Sequence, residues 1–165
     1  TKKHDVIIKY SGCFKNNGSH FLDLMNFFYG NPKNMTTFFN QVDKDENYKI
    51  GSCINYDNSL CTFIPLNSNK ITDHEIQIMT ESSKYVITRA GRNMQTYSVI
   101  KDEDFIDAKE YGDLQIANTD YLNFQKHVYN DVCQSLNSGN LTPNLCTIEE
   151  AIVNLTLIEE IVKNG

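Results

Sequence analysis

The sequence predicts an α+β domain: one largely antiparallel, open sheet with helices packed on one face. Three observations carry this. A long middle section alternates apolar and polar residues with period two, the signature of successive strands. Connections within that section are too short for crossover helices, so neighbouring strands run antiparallel. Apolar residues at helical spacing lie before and after it, near residues 16–30 and beyond 119. The 165 residues suit one domain, 1–165, with no internal repeat or low-complexity linker.

The first element is a short strand, "DVIIKY" (5–10). "NNGSHFLDLMNFFYG" (16–30) follows as a helix of about three turns, closed by Gly30 with Asn31-Pro32 just beyond. "NMTTFFNQVD" (34–43) is a candidate strand, and "NYKIGSCINY" (47–56) places Tyr48, Ile50, Ser52, Ile54 and Tyr56 on one face. Asp57-Asn58 supplies turn chemistry, so "SLCTFIPL" (59–66) returns as a hairpin partner. "HEIQIMT" (74–80) and "KYVITR" (84–89) form a second hairpin, and "NMQTYSVI" (93–100) adds a strand, giving six or seven in all. A helix near 119–138 carries Tyr121, Phe124, Val128, Val132 and Leu136 as a stripe. The turn-rich "NSGNLTPNLC" then leads to a last helix, opened by a Thr147–Glu150 capping box. Its expected stripe is Ile148, Ala151, Ile152, Leu155, Ile158, Ile161 and Val162.

A net charge of −6 argues against a phosphate-backbone binder, so no nucleic-acid partner is indicated. No apolar run reaches the ~20 residues of a membrane span. The five cysteines form no CxxC pair; their spacing suits neither a zinc site nor a disulfide framework, most read as small buried hydrophobes, and a reducing cytoplasm fits this. Of four N-x-S/T sequons, Asn154 falls mid-helix, a poor place for a glycan. Neither GxGxxG nor GxxxxGK[ST] occurs.

In the opening helix, ~100° per residue puts Phe21, Leu24, Met25 and Phe28 on the core face. Asn16, His20, Asp23 and Phe27 fall together on another side, beside Gly18, which permits close approach. Imidazole exchanges protons near neutral pH, Asp23 could fix its tautomer, and Asn16 could bond a hydroxyl. The same residues equally suit an ordinary helix start, where Asn, Gly and Ser are preferred. The remaining histidines offer less: His4 stands at the terminus, His74 heads a strand, and His127 has no evident partner.

"KNNGSHFLDLMNFFYGNPKNM" resembles the central motif of the Gfo/Idh/MocA oxidoreductases, a glycine-rich lead-in, D-x-G-x-H, then an apolar helix ending in G-x-P. "VCQSLNSGNLTPNLCTIEEAIVNLTLIEEIVKNG" is similar to that family's ending, and the order of elements matches throughout. The resemblance implies the C-terminal, GAPDH-like half of a two-domain enzyme. It implies NAD or NADP bound mainly by an amino-terminal Rossmann domain absent from this chain, and a sugar or nucleotide-linked sugar as substrate. His20 takes the catalytic histidine's position, with Asn16 and Asp23 as substrate-binding residues; the family aspartate falls on Asn16, a departure. It further implies a homo-oligomer through the sheet, a cytoplasmic enzyme, and no activity for this chain alone. A non-catalytic binding or dimerisation module is the alternative, favoured by the Asn at position 16.

Overall fold

The computed structural model describes residues 3–42, 47–67 and 71–164. Among these, eight strands form one sheet: β1 His4–Tyr10, β2 Asn34–Val42, β3 Tyr48–Asn55, β4 Ser59–Pro65, β5 His74–Met79, β6 Ser83–Thr88, β7 Asn93–Lys101 and β8 Lys109–Ala117. The helices are α1 Ser19–Tyr29, α2 Phe124–Ser138 and α3 Ile148–Asn164. The predicted strand "NMTTFFNQVD" is β2 as far as Val42; its Asp43 lies outside the described residues.

The sheet order is β2-β3-β4-β1-β5-β6-β7-β8, and every pairing but one is antiparallel. The exception is β1–β4, where Val6 lies opposite Cys61 in parallel register. Its cause is α1, which carries the chain from β1 to the far edge as a strand–helix–strand crossover. The β2-β3-β4 meander then returns to β1 from the side. β8 is an eighth strand where six or seven were expected. Tyr97 faces Leu114 but Val99 faces Tyr111, so the register slips by one residue and breaks the period-two signal around Gly112.

The core lies on one side of β1, β3 and β4. Val6, Ile8 and Tyr10 alternate inward from β1, as do Ile50, Ser52 and Ile54 from β3 and Cys61 and Phe63 from β4. Phe14 stands edge-on between the rings of Tyr10 and Phe63, with centroids 5.9 and 6.0 Å away. Of five cysteines only Cys61 is buried; Cys13, Cys53 and Cys133 are half-buried and Cys146 is exposed, contrary to expectation.

Helix α1 lays Leu22 and Met25 into the core, with Phe21, Leu24 and Tyr29 packed alongside. Burying each of the first two contributes about 1.5–3 kcal/mol. Phe28, expected inside, is 55% exposed. The run "FLDLMNFFY" is apolar on two adjacent stripes, and the turn before it sets which one faces inward. Helix α3 opens with the predicted capping box: Thr147 N–H donates to Glu150 Oε2 at 2.8 Å, and Glu150 N–H to Thr147 Oγ1 at 3.1 Å. Its buried positions are Ile158 and Ile161, with Leu157 and Val162 beside them, while Ile148, Ile152 and Leu155 are exposed. The second half of α3 packs on the core; its first half borders a cleft. Helix α2 has no buried residue, so its apolar stripe is solvent-facing rather than core. Among the described residues no helix is long and apolar enough to cross a membrane.

Candidate active site

A cleft of about 1140 Å³ opens between α1, the start of β5, the β6–β7 corner and the approach to α3. The turn that leads into its α1 wall starts at the end of β1. Gly12 adopts φ +81°, and a Cβ there would fall 2.5 Å from Asn17 Nδ2, which donates to the Ser11 carbonyl at 2.6 Å. The chain then makes a π-helical turn, Phe14–Gly18, in which Gly18 N–H reaches back five residues to Cys13 O. Gly18 is required for close approach, as expected, but to its own chain: a Cβ would lie 2.5 Å from the Phe14 ring.

That wide turn alters the expected face. His20 and Asp23 line the cleft, but Asn16 does not; it is exposed, and its carbonyl accepts the Ser19 hydroxyl at 2.7 Å. Asn17 takes the place in the lining. A uniform α-helical rotation cannot be projected back through a π turn, which is why Asn16 is displaced from its expected companions.

Asp23 is oriented by α3 rather than paired with His20. Tyr56 Oη donates to Asn26 Oδ1 at 2.8 Å, Asn26 Nδ2 donates to Asn154 Oδ1 at 2.5 Å, and Asn154 Nδ2 donates to Asp23 Oδ1. This chain of donors starts at the buried Tyr56 and ends on the carboxylate in the cleft. His20 makes no hydrogen bond among the described residues, which leaves both ring nitrogens for a ligand.

The histidine that local spacing passed over, His74, stands in the same wall. Its Nδ1 accepts the Ser11 N–H at 3.4 Å, and its ring lies 5.4 Å from that of Phe21. That N–H is shared, its shorter bond going to Asp73 O at 3.1 Å, and the sharing favours a neutral ring with its proton on Nε2. Burial holds its pKa below the usual imidazole range; Asp73 opposes this, and neighbouring His20 adds to it. No local signal could have found it, because sheet pairing of β5 with β1 brings it here: His74 is opposite Tyr10.

The β6–β7 corner completes the wall with Ala90 and Gly91. Arg89, Ala90 and Gly91 have φ of 52°, 55° and 93°, and such left-handed non-glycine residues cost about 1–3 kcal/mol each. On the opposite side Cys146, Glu149 and Glu150 line the approach to α3. Burial, then Asp23 and Glu150, push the Cys146 thiol upward. The other two histidines have partners that the sequence did not reveal. His127 Nε2 lies 2.6 Å from Asp120 Oδ2 on the surface, and His4, within β1, meets the Tyr29 hydroxyl at 3.4 Å. Asn154, a sequon residue, is committed to Asn26 and Asp23 inside a helix. No group of three or more His, Cys, Asp or Glu among the described residues is placed to hold a metal ion.

No family model matches this sequence, and no curated protein does. Solved structures match the fold. UDP-N-acetylglucosamine 3-dehydrogenase from Acidithiobacillus ferrooxidans superposes with a TM-score of 0.68 at 10% identity, over 97% of this chain and 54% of that one. A dehydrogenase from Clostridium difficile gives 0.67 at 12% identity, over 99% and 55%. Levoglucosan dehydrogenase in complex with NADH gives 0.71 at 9% identity, over 99% and 56%. This chain thus spans little more than half the length of each. Its eight-stranded, mostly antiparallel open sheet with three helices is the fold of the GAPDH-like C-terminal domain of Gfo/Idh/MocA-type oxidoreductases.

Proposed function

We propose that this chain is the substrate-binding half of a nicotinamide-dependent oxidoreductase acting on a sugar hydroxyl, free or nucleotide-linked. The observation that carries this reading is the convergence of His20, Asp23 and His74 on one cleft of a fold shared with sugar dehydrogenases.

The residues present do not fit the coenzyme itself. A dinucleotide needs a cradle for its pyrophosphate, usually a glycine-rich turn at a helix amino terminus. This chain has no such motif, and among the described residues the cleft wall carries carboxylates and no lysine or arginine. NAD or NADP would therefore be held mainly by a Rossmann domain outside this chain, and the chain alone would be inactive. What these residues supply is binding and proton transfer. His20, exposed and making no hydrogen bond among the described residues, exchanges a proton with the reacting hydroxyl or carbonyl oxygen. Asp23, fixed through Asn154, accepts a neighbouring hydroxyl, and His74 Nε2–H donates to another. Asn16 keeps the substrate-binding role implied for it only toward a ligand that extends past the π turn. The sheet's second face supports a homo-oligomer, since Ile116, Leu114 and Tyr111 of β8 are exposed.

The test is His20→Ala in the full-length polypeptide that carries this chain. Turnover should fall about 10²–10⁴-fold without loss of fold. Near-normal turnover would instead favour the non-catalytic module. The coding sequence upstream of Thr1 should also encode a βαβ unit with G-x-G-x-x-G.

A further inference from the structure

The wall this chain gives to the cleft is acidic. Among the described residues it carries the carboxylates Asp23, Glu149 and Glu150 and no lysine or arginine. Arg92, close in sequence to the corner, is drawn away, its guanidinium 5.1 Å over the Tyr121 ring. No salt bridge among the described residues neutralises the three carboxylates. Asp23 accepts an amide N–H from Asn154, and Glu150 accepts the Thr147 N–H.

The amino terminus of α3, which could attract an anion through its N–H groups, is partly capped from within. Glu150 and Thr147 cap one another there, so this end of the helix presents carboxylates instead. Beside it, Phe21, Leu24 and Phe27 of α1 offer an apolar floor of the kind a sugar ring covers with its C–H face. An anionic group on this wall would be desolvated against like charge, whereas hydroxyls and ammonium groups would find acceptors.

We propose that the cleft selects sugars or polyols that are uncharged or carry an amine, and rejects those bearing phosphate, nucleotide pyrophosphate or carboxylate where the ligand meets α3. The inference rests on the reading of this cleft as a sugar site and chooses the free sugar within it.

The experiment is titration calorimetry of the full-length protein at pH 6.5 with D-glucose, D-glucosamine and D-glucose 6-phosphate. Glucosamine should bind at least as tightly as glucose, and glucose 6-phosphate at least about tenfold more weakly, with the difference shrinking at high salt. The net charge of −6 also repels anions, so a D23N/E149Q variant isolates the wall. It leaves Glu150 to cap α3, and should remove most of the phosphate penalty and the amine preference. Should that variant fail to fold, the single E149Q variant decides, and it should lose part of the phosphate penalty while glucose binding is unchanged. Glucose 6-phosphate binding as tightly as glucose, or a penalty unchanged in the folded variant, would overturn the charge selection while leaving the sugar site standing. Binding by none of the three would overturn both.

Discussion

Replacing Tyr10 with Phe should cost far more than one hydroxyl normally does. In the β3–β4 ladder Ser52 faces Phe63, and the same register carried two residues on puts Ile50 opposite Pro65. Proline has no N–H to give, so the Ile50 carbonyl cannot be met from β4. The Tyr10 hydroxyl, reaching in from β1, takes both roles: it donates to Ile50 O at 2.7 Å and accepts Ile50 N–H at 3.0 Å. Both residues are 0% exposed, so no solvent can replace it. Tyr10→Phe leaves a buried N–H and a buried C=O unpaired, at about 1–3 kcal/mol each, hence roughly 2–6 kcal/mol in all. That is a large share of the ~5–15 kcal/mol that holds a domain folded. Urea denaturation followed by circular dichroism reads it as a lower midpoint with unchanged slope. The Tyr97→Phe variant, whose hydroxyl meets only Gln95 at 3.3 Å, serves as control and should shift little. A loss below about 1 kcal/mol for Tyr10→Phe would show that β4 relaxes to satisfy Ile50 and would refute the account of Pro65.

Two further predictions concern pH and the α1–α3 contact. Burial raises the Cys61 thiol from its ordinary 9.0 to about 12, against the pull of the Ser59 hydroxyl. The unfolded chain therefore releases this proton first, so stability is intact below about pH 9 and declines toward pH 12, by ~1.4 kcal/mol per pH unit for this group. Tyr10, Tyr29 and Tyr56, raised by the same cause, add to the decline above about pH 10. Urea midpoints at pH 7, 9 and 10 should fall less steeply in Cys61→Ala than in the parent, and equal slopes would contradict the assignment. Asn154→Ala should cut the link from Asn26 to Asp23, costing about 1–2 kcal/mol and, in the full-length polypeptide, raising KM for the proposed sugar substrate several-fold with a smaller change in kcat. An unchanged KM, in a protein where Asp23→Asn raises it, would show that Asp23 needs no support from α3.

Most of the strand framework was legible because one face of each central strand is buried. Ile50, Ser52, Ile54 and Tyr56 alternate inward as period two requires. β8 was illegible because its alternation slips by one residue, so neither phase persists long enough to register. Helix existence was equally clear, but helix facing was not. An apolar stripe states that a face can be buried without stating against what, and α2 and the first half of α3 show stripes that this chain leaves open.

The site divides along the same line. The shared face of His20 and Asp23 was legible because residues three apart on one regular helix keep a fixed angular relation. Asn16 was misplaced because a π turn lies between it and them, and His74 was passed over because its place depends on β5 pairing with β1. What joins these pieces is α3. Its buried end, Ile158 and Ile161, anchors in the core, and one turn earlier Asn154 holds the carboxylate of Asp23. Farther toward its amino terminus, Glu149 and Glu150 set the charge of the cleft. One helix thus couples core packing, the orientation of a cleft-facing carboxylate and part of the charge on the cleft wall. A truncation at its core end, such as Ile158→Ala, should therefore loosen the Asn154–Asp23 contact as well as lower the urea midpoint of the domain.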